Sequence, residues 1–259
     1  MALEFNAVTK RFETNGGVLT AVSDVSFKVD EGEFVAVVGP SGCGKSTLLS
    51  MTAGLYQPSQ GEVRVSNVPV TGPNSHVGFM LQKDLLLPWR SIVGNIEFGL
   101  EARGVGKSER RARAMQELKH CHLDGFERHF PYQLSGGMRQ RAALARTLAV
   151  DPEIILLDEP FSALDAQTKL LLQNSFAGTI AETGKTTLLI THDLAEAVLM
   201  SDRILVLSER PGRIVAEINV DLPHRDQPLK RRVMPEVSTY AAQVFKHLKL
   251  EEKAEEVMA

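Results

Sequence analysis

The chain has 259 residues, 43% of them hydrophobic, a formal net charge of −3 and two cysteines. That length suits one large α/β domain, or one domain with an inserted lobe, and its apolar content supports a sizeable core. The charge balance excludes a global basic field for nucleic acid. Two distant cysteines, Cys43 and Cys121, exclude a disulfide framework and fit a reducing cytosol.

The N-terminal stretch Met1–Phe5 has neither a basic nor an apolar leader region, so no signal peptide is expected. No apolar run approaches the ~18 residues needed to span a bilayer, so membrane work would need another chain. Short strand-like runs follow at Leu3–Val8 and Val22–Val29, the second alternating apolar and polar as a half-buried strand does. Between them Phe12 lies next to a polar loop, Glu13 to Gly17, as either a core aromatic or a face on which a base could stack. Asp30–Glu33 reads as a turn into the buried strand Phe34–Val38.

That strand feeds Gly39, Pro40, Ser41, Gly42, Cys43, Gly44, Lys45, Ser46 and Thr47, a G-x-x-x-x-G-K-S loop opening a helix. Its glycines let the backbone curl with N–H groups pointing inward, and the helix start adds partial positive charge. In such a loop Lys45 can reach β- and γ-phosphates, and the Ser46 hydroxyl can ligate Mg²⁺.

A turn-rich break at Gly54–Gly61 leads to strands at Glu62–Val65 and Val77–Leu81, the latter ending at Gln82. Leu85-Leu86-Leu87-Pro88-Trp89 is an apolar patch, read as core or as a docking surface. Residues 90–150 read as mostly helical, with the charged stretch Lys107–Lys119 a solvated helix face. His120-Cys121-His122 lacks a second cluster to complete a metal site.

Ser135, Gly136 and Gly137 open a helix whose apolar side is Ala142, Leu144, Ala145, Leu148 and Ala149. This start is a second anion-binding helix end, or a plain cap at Ser135. Ile154–Leu157 reads as a fully buried strand of a parallel sheet, ending in Asp158 and Glu159 where α/β folds place chemistry. Asp158 can hold Mg²⁺ opposite Ser46, and Glu159 can take a proton from an attacking water. Thr186–Ile190 is another buried strand and delivers His192 to the same edge; Ile204–Leu207 is the next. Gly212 begins a turn into the tail, where Lys230-Arg231-Arg232 reads as a solvated basic turn. Val237, Tyr240, Ala241, Val244 and Leu248 recur at helical spacing, so a final helix is expected.

Five features in order, the loop at 39–47, Gln82, Leu134-Ser135-Gly136-Gly137-Met138, Asp158-Glu159 with Ser162-Ala163-Leu164-Asp165, and His192, resemble the ATP-binding subunit of ABC transporters. The resemblance covers residues 1–215 and implies a phosphate-loop, RecA-like α/β core with an antiparallel β subdomain and an inserted α-helical subdomain at about 86–152. Residues 216–259 are then a C-terminal tail. It implies that Phe12 stacks on adenine, that Gln82 touches Mg²⁺ and the attacking water, and that Glu159 is the general base. His192 would contact the γ-phosphate and Asp165 would link the two sites of a dimer. Ser135 and Gly137 would bind the γ-phosphate held by a second, head-to-tail copy. ATP and Mg²⁺ are the implied cofactors. Transmembrane permease subunits and, indirectly, a solute-binding protein are the implied partners, at the cytoplasmic face of the inner membrane.

The run Met80–Trp89 and Arg210-Pro211-Gly212-Arg213-Ile214 are similar to importer subunits for nitrate, sulfonate, taurine and related small solutes. An exporter ATPase and a soluble ABC-type assembly ATPase remain as alternatives.

Overall fold

A computed structural model describes residues 1–248. Strands β1 (Leu3–Thr14) and β2 (Gly17–Val29) form an antiparallel hairpin, and β3 (Phe34–Val38) runs through the phosphate loop into α1 (Lys45–Thr52). Next come β4 (Gln60–Val65), β5 (Val68–Pro69) and β6 (Val77–Met80). Then α2 (Ile92–Ala102), α3 (Lys107–His120) and α4 (Gly136–Ala149) make a helical layer, with a short 3-10 turn at Pro131–Gln133. The chain continues through β7 (Ile154–Asp158), α5 (Ala166–Thr183), β8 (Thr186–Ile190), α6 (Leu194–Met200) and β9 (Arg203–Leu207). It ends with β10 (Ile214–Asn219), α7 (Pro228–Arg231) and α8 (Glu236–His247).

One sheet is antiparallel in the order β2-β1-β4-β5; the other runs β10-β9-β3-β8-β7-β6, parallel except for β10 against β9. The parallel strands are apolar on both faces because each face is covered. Along β3, Phe34, Ala36 and Val38 pack with Ile96, Leu144, Phe161 and Phe176 on the helical side. Val35 and Val37 point the other way, among Phe5, Val25, Leu48, Leu49 and Val63. The period of two thus divides one strand between two cores. Parallel strands also send their C-terminal ends to one edge, which collects the phosphate loop, Gln82, Glu159, His192 and the loop after β9.

Several readings are refined. Phe12 lies inside β1, opposite Leu19 of β2, and is half-buried rather than part of either core. Its ring meets Tyr56 edge-on at 5.3 Å, and the Lys10 ammonium sits 5.0 Å from its centroid. The turn at Gly212 leads directly into β10, so residue 215, where the sequence suggests a division, lies within a sheet strand. Of the apolar patch, Leu86 is buried under the helical layer, whereas Leu85 and Trp89 are 52% and 73% exposed. In α3 only Ala114 and Leu118 are buried, as a solvated face requires. The terminal helix is α8, where Val237 and Val244 are buried; the tail from 249 onward lies outside the described residues.

The basic triplet is the clearest correction. Lys230 and Arg232 are exposed, but Arg231 is 1% exposed. Its Nη1 donates to the carbonyls of Val198 (3.0 Å), Leu199 (3.2 Å) and Ser201 (2.9 Å), Nε to Pro223 (3.1 Å), and Nη2 to Leu222. A guanidinium is buried here because it meets the orphan carbonyls ending α6, and cations are favoured at helix C-termini.

Candidate nucleotide site

A cleft of about 310 Å³ opens at the C-terminal edge of the parallel sheet, lined by Phe12, Leu19, Ala21, Ser41, Gly42, Gly44, Lys45, Ser46, Thr47, Glu159 and Arg210. Gly44 has φ 105° and caps α1. A Cβ there would stand 2.9 Å from the Ala21 carbonyl and 2.5 Å from Val22 Cγ1, so only glycine fits between loop and β2. Lys45 is buried, its ammonium donating to the Gly39 (2.8 Å) and Pro40 (2.9 Å) carbonyls. Gly39, Pro40 and Cys43 form the back of the loop; Cys43 is buried, which pushes its thiol pKa up.

The end of β7 meets the start of α1. Ser46 Oγ donates to Asp158 Oδ1 at 3.2 Å. Burial raises the Asp158 pKa, the Ser46 bond opposes it, and the neighbouring Glu159 adds repulsion. A hydroxyl and a desolvated carboxylate at the phosphate end of a cleft are hard oxygen donors that suit Mg²⁺.

Glu159 stands in the left-handed region, φ 47°, with its N–H bonded to the Ile190 carbonyl of β8 at 3.0 Å. That conformation is unfavourable for a long side chain, and it aims the carboxylate along the sheet edge. His192 Nδ1 lies 3.0 Å from Glu159 Oε2. Gln82 Nε2 donates to Ser162 Oγ at 3.1 Å, and that hydroxyl donates to the Glu159 carbonyl at 3.0 Å. Gln82 and His192 thus reach Glu159 from either side along the edge without lining the cleft themselves.

Behind His192, Lys169 of α5 pairs with Asp193 and Glu196, both at 2.8 Å. Burial pulls the lysine pKa down, but the two carboxylates outweigh it and leave it raised. Asp193 also caps α6, accepting from Glu196 N at 3.1 Å. The segment carrying His192 is therefore fixed to the helix that follows Asp165.

The ABC transporter family model matches residues 22–162, more than half of the chain. The chain belongs to the ABC transporter family. An uncharacterized ABC transporter ATP-binding protein of Methanocaldococcus jannaschii is 48% identical over 220 residues, 85% of this chain and 82% of that protein. The taurine import ATP-binding protein TauB of Yersinia pestis is 48% identical over 205 residues, 79% of this chain and 80% of TauB. Among solved structures, the ATP-binding cassette MJ0796, a dimer in a post-hydrolysis state bound to ADP and Pi, superposes with a TM-score of 0.74 at 33% identity, covering 85% of this chain and 99% of its own. The core is accordingly that of an ABC ATPase, an enzyme coupled to transport.

In this ABC ATPase the start of α4 stands apart from the cleft: Ser135, Gly136 and Gly137 do not line it. Ser135 does cap the helix, its Oγ accepting from Met138 N at 3.3 Å. The flank of α4 grips the segment after Gln82: Arg139 pairs with Asp84 at 3.1 Å, and Arg146 donates to the Asp84 (2.6 Å) and Leu85 (2.8 Å) carbonyls. Asp165 caps α5 through Thr168 N at 3.0 Å.

Sequence reasoning missed Leu19, Ala21 and Arg210 as cleft residues. The first two lie in the part of β2 before Val22, which pairs with β1 beyond Val8. Arg210 lay in a run that was legible only as a subfamily marker.

Proposed function

We propose that this ABC ATPase hydrolyses MgATP at sites shared between two head-to-tail copies, and so powers inward movement of a small solute through a separate transmembrane partner. The observation that carries the reading is the split geometry: one chain holds a phosphate-loop cleft and, outside it, a capped Ser-Gly-Gly helix start. Each is half of a site for one triphosphate, and two copies complete each other.

In the proposed reaction Phe12 supports the base, the loop amides and Lys45 hold the phosphates, and Ser135 and Gly137 of the opposite copy face the γ-phosphate. Glu159 accepts the proton of a water whose oxygen bonds the γ-phosphorus as the bond to the bridging oxygen breaks, leaving ADP and phosphate. His192 orients that carboxylate through its 3.0 Å contact and, in the proposed reaction, contacts the γ-phosphate. Ser46, Asp158 and Gln82 would hold Mg²⁺, which neutralises phosphate charge when bound. The work is positioning and electrostatics, so losing the base costs orders of magnitude in rate.

The exposed Leu85 and Trp89, the first held at its carbonyl by Arg146 of α4, are the proposed docking surface for the membrane partner, a reading in which the chain works at the cytoplasmic face. The TauB likeness supports an importer for a small organic sulfonate or similar solute. The test is Glu159→Gln: it should bind ATP, form a lasting dimer and hydrolyse at least about a hundredfold more slowly. Turnover at the parent rate would remove Glu159 as base. For the transport reading, a mild-detergent pull-down should bring a multi-span membrane protein; soluble partners alone would overturn it.

A further inference from the structure

The loop after β9 is built to reach the phosphate loop. Ser208 closes it, its N–H donating to the Arg213 carbonyl at 2.9 Å and its Oγ accepting from Arg213 N at 3.0 Å. Gly212 staples it to β2: its N–H donates to the Ala21 carbonyl at 2.9 Å, and its carbonyl accepts from Ser23 N at 3.0 Å. A Cβ on Gly212 would collide with the Cys43 carbonyl, so the two loops touch at backbone level. From this braced turn Arg210 extends into the cleft lining, and both Nε (2.9 Å) and Nη2 (2.8 Å) donate to the carbonyl of Gly42. Gly42 has φ 74°, and a Cβ there would stand 2.7 Å from Nη2.

A loop that presents its N–H groups inward must turn its carbonyls outward, and each then needs a donor. Here the Gly39 and Pro40 carbonyls are held by Lys45, and that of Gly42 by Arg210. If Lys45 turns to the β- and γ-phosphates, its two carbonyls lose that cation, while the Arg210 clamp stays in place. The Gly42 peptide is tied on both sides, its carbonyl by Arg210 and its N–H, that of Cys43, by the Pro40 carbonyl at 3.3 Å. The geometry points to Arg210 as a positioning residue of the nucleotide site, one that locks this turn of the loop so that the amides following it face the phosphates and thereby sets nucleotide affinity. This rests on the cleft being the nucleotide site.

The test uses the full chain, with mant-ADP titrations, steady-state MgATP kinetics and melting without nucleotide. Arg210→Ala should weaken mant-ADP binding about tenfold and raise KM to match, with kcat within about twofold, as loss of a charge-assisted bond pair to the loop predicts. Arg210→Lys, which keeps one charged donor, should recover affinity to within about threefold of the parent. Arg213→Ala, in the same turn, should bind as the parent does, and all three should melt alike. Parent-like affinity in Arg210→Ala, an equal loss in Arg213→Ala, a fall in kcat at constant KM, or failure of Arg210→Ala to fold would each overturn the proposal. A parent chain that binds no mant-ADP, or Lys45→Ala binding unchanged, would instead sink the assignment of the cleft.

Discussion

Replacing Arg231 by methionine keeps most of the side-chain volume but removes every guanidinium donor. The carbonyls of Val198, Leu199, Ser201, Leu222 and Pro223 then face an apolar group. The Val198, Leu199 and Ser201 bonds are buried, and each of those stranded carbonyls costs roughly 1–3 kcal/mol, partly offset because a cation is no longer desolvated; Leu222 and Pro223 can turn to water. Three such carbonyls, less that offset, put the net loss at about 3–5 kcal/mol. For a chain of this size each kcal/mol moves the melting midpoint by roughly 2–4 °C, so the midpoint should fall by about 6–20 °C. Circular dichroism melts and urea titrations of the full chain measure this. Lys230→Met and Arg232→Met, at exposed neighbours, should stay within about 0.5 kcal/mol of the parent. Arg231→Met should also lower kcat, because α6 begins two residues after His192. A melt within about 2 °C of the parent would refute the claim that this guanidinium anchors the tail.

Glu159→Gly should relieve the left-handed backbone and stabilise the chain by up to about 1 kcal/mol while abolishing hydrolysis, an exchange visible by pairing melts with phosphate release. Asp158 has a raised folded-state pKa, so its contribution is fullest below the ordinary value of 3.8 and is lost as pH rises through the raised value. In nucleotide-free unfolding titrations the parent should lose stability relative to Asp158→Asn across that window; an identical pH profile would contradict it. Gly136→Asp has room, since a Cβ would meet only Leu164 Cδ2 at 3.6 Å and Arg139 Nη2 at 3.9 Å. Acid in a first helical turn is favourable, so the fold should hold. Against a phosphate about 4 Å away at an effective dielectric near 20, the repulsion is about 4 kcal/mol, on the order of a thousandfold. Sedimentation should therefore show loss of the ATP-bound dimer in a Glu159→Gln background, with nucleotide binding by the single chain intact.

The buried strands were legible because a parallel sheet covered on both faces writes itself as short apolar runs such as Phe34–Val38 and Thr186–Ile190. The phosphate loop, the Asp158–Glu159 pair and His192 were legible because each follows such a run. The extension of β1 past Val8 was hidden, since register shifts between Phe5 and Arg11 break the period of two on which strand reading depends. Arg231 and Arg210 were hidden for a different reason. Both are placed by carbonyl oxygens of residues distant in sequence, and backbone acceptors carry no side-chain signature.

The separation of the α4 start from the cleft has a consequence for mixtures of defective chains. In the proposed dimer, one copy damaged only at Lys45 and another damaged only at Gly136 fail separately. Paired together, they leave one composite site whose loop and helix start are both intact. If one copy carries both lesions and its partner neither, the same two lesions leave no intact site. Placing the damage on one chain or on two should therefore decide whether half of the activity returns or none does.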